Sequence, residues 1–308
     1  MRRTKVLVAA VLSSVAPLGL MSSAGAAPGG VIARHSAGRP ALAADRAVST
    51  APYPSLATCR GRVKHQTYQS GVLTVATDNP AYAPWFEHNT PSNGKGFESA
   101  VAYAVASLLG FKKSQVKWVT ETFNNSYAPG PKAFDFDINE VSITPARAKA
   151  VTFSVPYYKT TQSIVALRSN PIVKHHTPAA LKTYLYGDQI GTTGLAYINS
   201  AIHPTRSPRV FNTLDESVAA LQTKQVDALV VDTPDGQYMA TTQVKHGVQV
   251  GQFPTANAGT KYGLLFKKGN PLVSCVDSAV TVMSKNGGLA KLQKKYLAVY
   301  DDIAKLKP

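Results

Sequence analysis

Short apolar runs alternate with helical segments along this chain, and this alternation restricts the fold more than any other feature. The run GVLTVATD at residues 71–78 predicts a strand. The segment GFESAVAYAVASLLGF follows, with apolar residues from Phe97 to Leu109 at helical spacing and Gly110 as the C-terminal cap. A second series contains the buried-strand candidate VDALVVD at residues 226–232. Strands that alternate with helices predict an α/β fold with two lobes and sheets rich in parallel strands.

The N-terminal segment, residues 1–27, has the pattern of a secretory signal peptide. A basic start, MRRTK, precedes the apolar run VLVAAVLSSVAPLGL, and Ala24–Ala26 offers a small-residue cleavage site. A membrane anchor is the alternative, but the run is short and interrupted by proline. Residues 28–64 are rich in Ala, Pro, Gly, Ser and Arg without a period, which predicts a disordered leader. We therefore expect a secreted protein (extracellular, periplasmic or cell-wall associated), without a lipid anchor.

The chain has a formal net charge of +16 and two cysteines. Lys and Arg are dispersed and no nucleic-acid motif is present, so a basic surface near anionic wall or membrane material is the simpler prediction. Cys59 and Cys275 are too few and too far apart for a cysteine zinc site. In an oxidising compartment they favour one disulfide, and two free thiols remain the alternative. We predict no cofactor and no bound metal.

The segment VSITPARAKAV, residues 141–151, places a cation where it is unfavourable. Thr144 and Pro145 are typical of an N-cap and a first helical position. Arg147 then lies in the first helical turn, although a helix N-terminus already carries partial positive charge. Local rules broken in this way often mark function. An anion that satisfies both the guanidinium and the helix end would explain the arrangement.

Two further segments carry candidate polar sites. GTTGLAY places Thr192 and Thr193 where a strand leads into a helix, which suits either an anion site or ordinary N-capping. Asp232 ends the apolar strand VDALVVD, so it needs a partner. Asp232 either binds a cation or caps the following TPDG turn.

Aromatic residues lie on a proline-stiffened loop after the first strand. DNPAYAPWF contains Tyr82, Trp85 and Phe86, which suit ligand stacking or core packing, and Phe123 is a second candidate wall. An arginine for a carboxylate, an aspartate for an ammonium and flanking aromatics together match the polarity of a free α-amino acid.

The chain here resembles the polar amino-acid solute-binding proteins of ABC importers, family 3. The motifs are ATDNPAYAPW, GKGFESAV, VSITPARAKAVTFSVPYY, GDQIGTT and VDALVVD, within residues 66–300. The resemblance implies a two-lobed, Venus-flytrap protein that closes over its ligand. It assigns Arg147, Ser142, Thr144, Thr192 and Thr193 to the α-carboxylate, Asp232 to the α-ammonium, and Tyr82, Phe123 and Asp78 to the ligand side chain.

Three positions depart from the family pattern. The loop after Asp78 is one residue longer, so Tyr82 and Trp85 could exchange roles. Glu140 follows Asn139 where small hydroxyl residues are frequent, and Asp188 stands where an apolar residue is usual. Acidic residues near the side-chain pocket favour a polar or basic ligand.

The resemblance also implies a division of the chain. Residues 66–158 and 265–308 would form lobe 1, residues 159–264 lobe 2, and hinges would lie near 158–162 and 256–265. Cys59 and Cys275 then belong to the same lobe. The implied partners are a free amino acid and the membrane permease of an ABC importer, with the protein a monomer. Alternatives are an enzyme of the same fold, dehydratase-like, for which Glu140 is the candidate acid, or a ligand sensor or wall-associated interaction protein.

Overall fold

The computed structural model describes residues 53–254, 259–301 and 303–306. The predicted signal peptide and most of the predicted leader lie outside these residues. Two five-stranded sheets, each covered by helices, account for most of the described chain. A two-stranded sheet lies at the two points where the chain passes from one five-stranded sheet to the other.

The strands, in chain order, are β1 Leu73–Thr77, β2 Val116–Thr120, β3 Phe136–Asp137, β4 Val151–Phe153, β5 Tyr158–Thr160, β6 Gln162–Leu167, β7 Tyr186–Gln189, β8 Arg209–Phe211, β9 Ala228–Asp232, β10 Gly247–Gln252, β11 Thr260–Tyr262 and β12 Leu265–Lys267. The described α-helices are α1 Leu56–Arg62, α2 Phe97–Leu108, α3 Phe123–Ser126, α4 Arg147–Ala150, α5 Pro178–Leu181, α6 Thr193–Tyr197, α7 Leu214–Gln222, α8 Thr233–Tyr238, α9 Val273–Lys285, α10 Gly288–Tyr296 and α11 Ala298–Asp301.

The first lobe is built on the sheet β2-β1-β3-β12-β4. Helix α2 buries Phe97, Val101 and Val105 against it, as the helical spacing of these residues predicts. The residue before α2 must be glycine. Gly96 has φ +94°, and a Cβ there would lie 2.3 Å from the carbonyl oxygen of Trp85.

The second lobe is built on the sheet β10-β6-β9-β7-β8. Its central strand β9 is the predicted buried strand, and it carries Val230 and Leu229 into hydrophobic clusters on opposite faces of the sheet. Helix α7 begins with the predicted capping box, in which Thr213 and Glu216 each accept from the other's backbone N–H.

Both sheets are mixed, so the prediction of sheets rich in parallel strands was only half right. β1 pairs in parallel with β2 and β3, and β7 with β8 and β9, whereas β12, β6 and β10 run antiparallel to their neighbours. The antiparallel strands are those next to the passages between lobes, where the chain changes sheet. The antiparallel pair β5–β11 lies at these passages.

The N-terminal part of the described chain corrects the predicted leader. Residues expected to lack structure up to residue 64 include helix α1, in which Cys59 is bonded to Cys275 of α9. The predicted disulfide is therefore confirmed. Cys59 and Val63 are completely buried in the first-lobe core. Composition alone missed this helix because its burial depends on a partner more than 200 residues away.

The C-terminal segment departs from the predicted division of the chain. Leu306 is buried in the second-lobe core, and its N–H donates to the carbonyl of Gln252 in β10. Residues 303–306 therefore pack on the second lobe, although we expected all of 265–308 in the first. The remaining lobe boundaries stay a prediction.

Candidate functional site

A cleft of about 300 Å³ lies between the two lobes. First-lobe residues that line it follow strands β1, β2 and β3. Second-lobe residues lie in the last residues of β7 and β9 or after β7, β8 and β9, and Gln162 begins β6. The ends of strands are where α/β sheets usually gather ligands. Its polar lining includes Asp78, Tyr82, Asn139, Glu140, Ser142, Arg147, Gln162, Asp188, Thr192, Thr193, Asp215, Asp232 and Asp235.

Arg147 lies at the carboxylate end proposed from the sequence. Its side chain is 7% exposed, and its guanidinium donates to the carbonyl oxygens of Ser142 and Gly191, each at 2.9 Å. The rings of Phe123 and Tyr127 lie 5.1 and 4.6 Å from its central carbon, within cation–π range. Burial lowers the pKa of Arg147. The guanidinium is thus fixed in place, and three of its five N–H donors remain for an anion.

Hydroxyl groups surround this end of the cleft. Ser142 Oγ lies 3.4 Å from Thr193 Oγ1 of the opposite lobe. Thr192 caps α6 by accepting from the Leu195 N–H, which satisfies the N-capping interpretation. Thr144 is outside the cleft lining, and its hydroxyl accepts from the Arg147 N–H. Helix α4 begins at Arg147, after Ala146, so the prediction of Thr144 as its N-cap was wrong. Thr193 lines the cleft, where its hydroxyl accepts from Gln162 Nε2 at 3.2 Å.

Asp232 ends strand β9 on the second-lobe side of the cleft, and it shares the Gln162 side chain with Thr193. It is the residue before α8, but its side chain makes no capping hydrogen bond, so the turn-cap interpretation is wrong. Its carboxylate accepts instead from Gln162 Nε2 at 2.6 Å. Burial raises the pKa of Asp232 to about 7, against the lowering effect of Tyr262, Arg147 and Gln162. A cation beside it would remove the cost of burying this charge.

The aromatic candidates separate into cleft and core. Tyr82 and Phe123 line the cleft, and the Tyr82 hydroxyl donates to Asp215 of the second lobe. Trp85 does not line it. The Trp85 ring is completely buried and packs edge-on against Phe97 and other first-lobe aromatics. Trp85 therefore packs in the first-lobe core, and Tyr82 is the aromatic of this loop on the cleft side.

Carboxylates dominate the cleft wall. Six acidic side chains line it: Asp78, Glu140, Asp188, Asp215, Asp232 and Asp235. Arg147 is the one Lys or Arg among the described lining residues. Asp78 accepts from the backbone N–H of Asn79 and of Phe123, and burial raises its pKa. Glu121 is not part of the described lining.

Sequence reasoning missed Asp215, Asp235 and Gln162. Asp215 stands in the first turn of α7 and Asp235 in the first turn of α8, where acids are ordinary for helices. Only the approach of the other lobe gives them first-lobe partners, Tyr82 and Trp85. The signal that could have found Asp235 is its position three residues after Asp232, on the same helix end.

Glu140 is held by a second carboxyl group behind it. Its backbone has φ +49°, a left-handed conformation that is uncommon outside glycine. The Glu140 N–H donates to Glu98 Oε1 at 2.8 Å, and the Tyr157 hydroxyl donates to the same oxygen. Glu98 is completely buried, and burial raises its pKa to about 7. Burial and the charges of Asp235 and Glu98 raise the pKa of Glu140 well above its usual range.

Asp188 lies near the end of β7 and lines the second-lobe side of the cleft. It is 1% exposed, and one carboxylate oxygen accepts from the Gln189 N–H at 2.7 Å. Gly194 packs directly over it, since a Cβ there would lie 2.3 Å from the other oxygen. Burial raises the pKa of Asp188 well above its usual range. Asp188 is therefore a packed acid at the edge of the cleft.

Contacts between the lobes show that the cleft is closed. Arg147 reaches Gly191, Tyr82 reaches Asp215, and Trp85 Nε1 donates to Asp235 at 2.5 Å. A cleft between two lobes, closed by hydrogen bonds and lined by charged groups of both signs, defines a ligand-binding protein of the hinge-closing class. The sequence profile of bacterial extracellular solute-binding proteins, family 3, matches residues 73–299, and the chain belongs to this family.

Known relatives fit the same class. The chain is 24% identical over 219 residues to ABC transporter arginine-binding protein 1 of Escherichia coli K12, covering 70% of this chain and 86% of that protein. It is 26% identical over 224 residues to the arginine-binding extracellular protein ArtP of Bacillus subtilis 168, covering 70% and 82%. The crystal structure of the ancestral amino acid-binding protein AncCDT-1, a precursor of cyclohexadienyl dehydratase, is similar at TM-score 0.62 and 27% identity, covering 78% and 98%.

The family is extracellular, and among the described helices none is both long and apolar enough to span a bilayer.

Proposed function

We propose that this protein binds a free amino acid with a cationic side chain, with arginine as the leading candidate, and delivers it as a monomer to the membrane permease of an ABC importer. The observation that carries the proposal is the charge of the cleft, in which six carboxyl groups face a single guanidinium. One carboxylate is needed for an α-ammonium. Asp78 and Asp215, which hydrogen-bond to Phe123 and Tyr82, would offset the charge of a ligand that has a second cation.

The positions of the groups give the ligand a direction. Its α-carboxylate would lie on Arg147, Ser142 and Thr193, and its α-ammonium on Asp232. Its side chain would extend between Tyr82 and Phe123 toward Asp78 and Asp215, where the carboxylates accept from a guanidinium or ammonium. Two relatives whose names state arginine binding support this choice, although both are less than 30% identical.

Calorimetric titration of the purified protein, stripped of ligand by unfolding and refolding, tests the proposal. L-Arginine and L-lysine should bind far more tightly than L-citrulline, which has nearly the shape of arginine but a neutral side chain. Asp78→Asn should reduce the preference for arginine over citrulline, and Glu87→Asn, a change on the same lobe outside the cleft lining, should leave it intact. Equal affinity for arginine and citrulline would reject a cationic ligand.

An enzyme is the second candidate, because burial raises the pKa of the cleft carboxyl Glu140 well above its usual range, which suits a general acid. The similarity to a dehydratase precursor is compatible with this role. Proton NMR of the bound ligand during prolonged incubation distinguishes the two. Unchanged ligand supports a binding protein, and a new product with altered carbon skeleton or lost water supports the enzyme.

A further inference from the structure

Two carboxyl groups from opposite lobes line the cleft together with Asp232, and the binding of an α-amino acid backbone does not require either of them. Glu140 comes from the first lobe, after β3, and Asp235 from the second, in the first turn of α8. The charge of Asp235 has the largest effect of any charged group on Glu140. Closure therefore brings like charges together, which is unfavourable in a partly buried site.

Both members of this carboxyl pair are held in place. The left-handed backbone of Glu140 is fixed by the hydrogen bond from its N–H to Glu98 on α2. Asp235 is fixed by the indole N–H of Trp85, which reaches it across the cleft. A strained conformation that the surrounding structure maintains is typical of a functional position. The Asp235 carboxylate is therefore kept on the cleft side while the lobes are closed, and the backbone of Glu140 is kept in its left-handed conformation.

The surroundings supply no positive charge to the pair. Glu98 and Tyr157 lie behind Glu140, Asp78 faces it from the end of β1, Asp232 from β9, and Tyr262 from β11. Arg147, the only Lys or Arg of the described lining, donates to two carbonyl groups.

A buried acceptor beside Asp232 also lacks a donor. Gln162 Nε2 donates to Asp232, whereas Gln162 Oε1 makes no hydrogen bond, and the residue is 2% exposed. Buried polar atoms are normally paired, so this unpaired acceptor points to a group that brings donors. An ammonium, with three N–H donors and a positive charge, has the required chemistry.

We infer that Glu140 and Asp235 form an interlobe carboxyl pair that decides which ligands close the cleft, because closure requires a positive charge between them, supplied by the ligand's ammonium or, without ligand, by a proton. This inference rests on the proposed function for the identity of the ligand. The requirement for charge does not depend on which amino acid binds. Asp232 alone would accept an ammonium, whereas the pair penalises ligands that lack one.

The direction of the pH effect follows from the geometry. The two carboxyl groups are close together only in the closed state, so the closed state without ligand binds a proton more tightly than the open state. Lowering the pH therefore favours closure of the empty protein, and raising it favours opening. A bound ammonium replaces the proton and keeps the lobes closed at higher pH.

Small-angle X-ray scattering of the ligand-free protein at about pH 8 and about pH 5 tests this directly. The wild type should be open at the higher pH and more compact at the lower. At the higher pH, L-arginine should compact it, and the analogue with hydroxyl in place of the α-ammonium should not. Glu140→Gln should be compact without ligand at both pH values, since an amide can donate to Asp235. Its discrimination between arginine and the hydroxy analogue should fall by about tenfold.

Two further variants keep the test decisive. Glu140→Gly removes the same carboxyl and is tolerant of a positive φ, so it should also lose the pH effect even if Glu140→Gln folds poorly. Glu121→Gln, the same chemical change on the same lobe outside the described cleft lining, should behave as wild type.

A wild type with the same dimensions at both pH values, or a Glu140→Gln protein that retains the full pH effect, overturns the inference. If arginine closes the protein and pH does not, the carboxyl pair fails while the proposed function stands. If no amino acid binds but acidification still compacts the wild type and not Glu140→Gln, the proposed function fails and the pair stands.

Discussion

Replacement of Arg147 by lysine tests how the carboxylate end of the cleft works. The variant keeps a positive charge but has three N–H donors where the guanidinium has five. Two donors of Arg147 are used on the carbonyls of Ser142 and Gly191, which leaves three to form a two-bond fork with a carboxylate. A lysine that satisfies the same carbonyls has one donor left. One charge-assisted hydrogen bond should therefore be lost.

Such a bond contributes about 1.5–3 kcal/mol, so Arg147→Lys should weaken arginine binding by about 10- to 140-fold. Calorimetry measures this, with circular dichroism as a check on folding. Lys149→Ala, an exposed change in the same helix, is the matched control and should bind as wild type. Arg147→Ala should be weaker still, because it also removes the charge. An affinity of Arg147→Lys within about threefold of wild type would refute the assignment of the fork.

Three further predictions follow from the same structure. Asp232→Asn should lower the affinity for arginine by about 2–5 kcal/mol in calorimetry and leave the affinity for the hydroxy analogue nearly unchanged; equal losses for both ligands would contradict an ammonium site. Replacement of Cys59 and Cys275 together by serine should lower the free energy of unfolding by up to about 5 kcal/mol, since the bond closes a loop of sequence separation 216; an unchanged melting temperature would be inconsistent with this. Asp137→Asn should stabilise the protein, and more so at higher pH, because burial raises the pKa of Asp137 and neither of its oxygens has a hydrogen-bond partner. In denaturant titrations, the difference in free energy of unfolding between variant and wild type should grow as pH rises from about 4. A difference that stays constant or shrinks would count against this prediction.

The elements of the fold could be predicted from the sequence because their information is local. The stripe of α2, the capping box at Thr213 and the apolar strand β9 each follow from spacing and propensity within a few residues. The place of Arg147 in the cleft was also predictable, since a cation in the first turn of a helix breaks a local rule. The resemblance to the family then led to the proposal that Arg147 binds the α-carboxylate of an amino acid.

The other features depend on contacts between distant segments. Trp85 and Tyr82 stand on the same loop with similar neighbours, and only packing against Phe97 and the rest of the first-lobe core separates them. Asp235 is an ordinary helix-end acid until the lobes close. Helix α1 is short and polar in composition, and its burial depends on α9. None of these partners is visible from local spacing.

The disulfide between Cys59 and Cys275 closes part of the polypeptide into a covalent ring. This ring runs from α1 to α9 and contains every strand of the two described five-stranded sheets. A protease that cuts one exposed loop within this ring opens it but releases no fragment, and both pieces stay joined at the remaining crosslink. In the extracellular environment typical of this family, a single cut therefore leaves the two lobes tethered to each other.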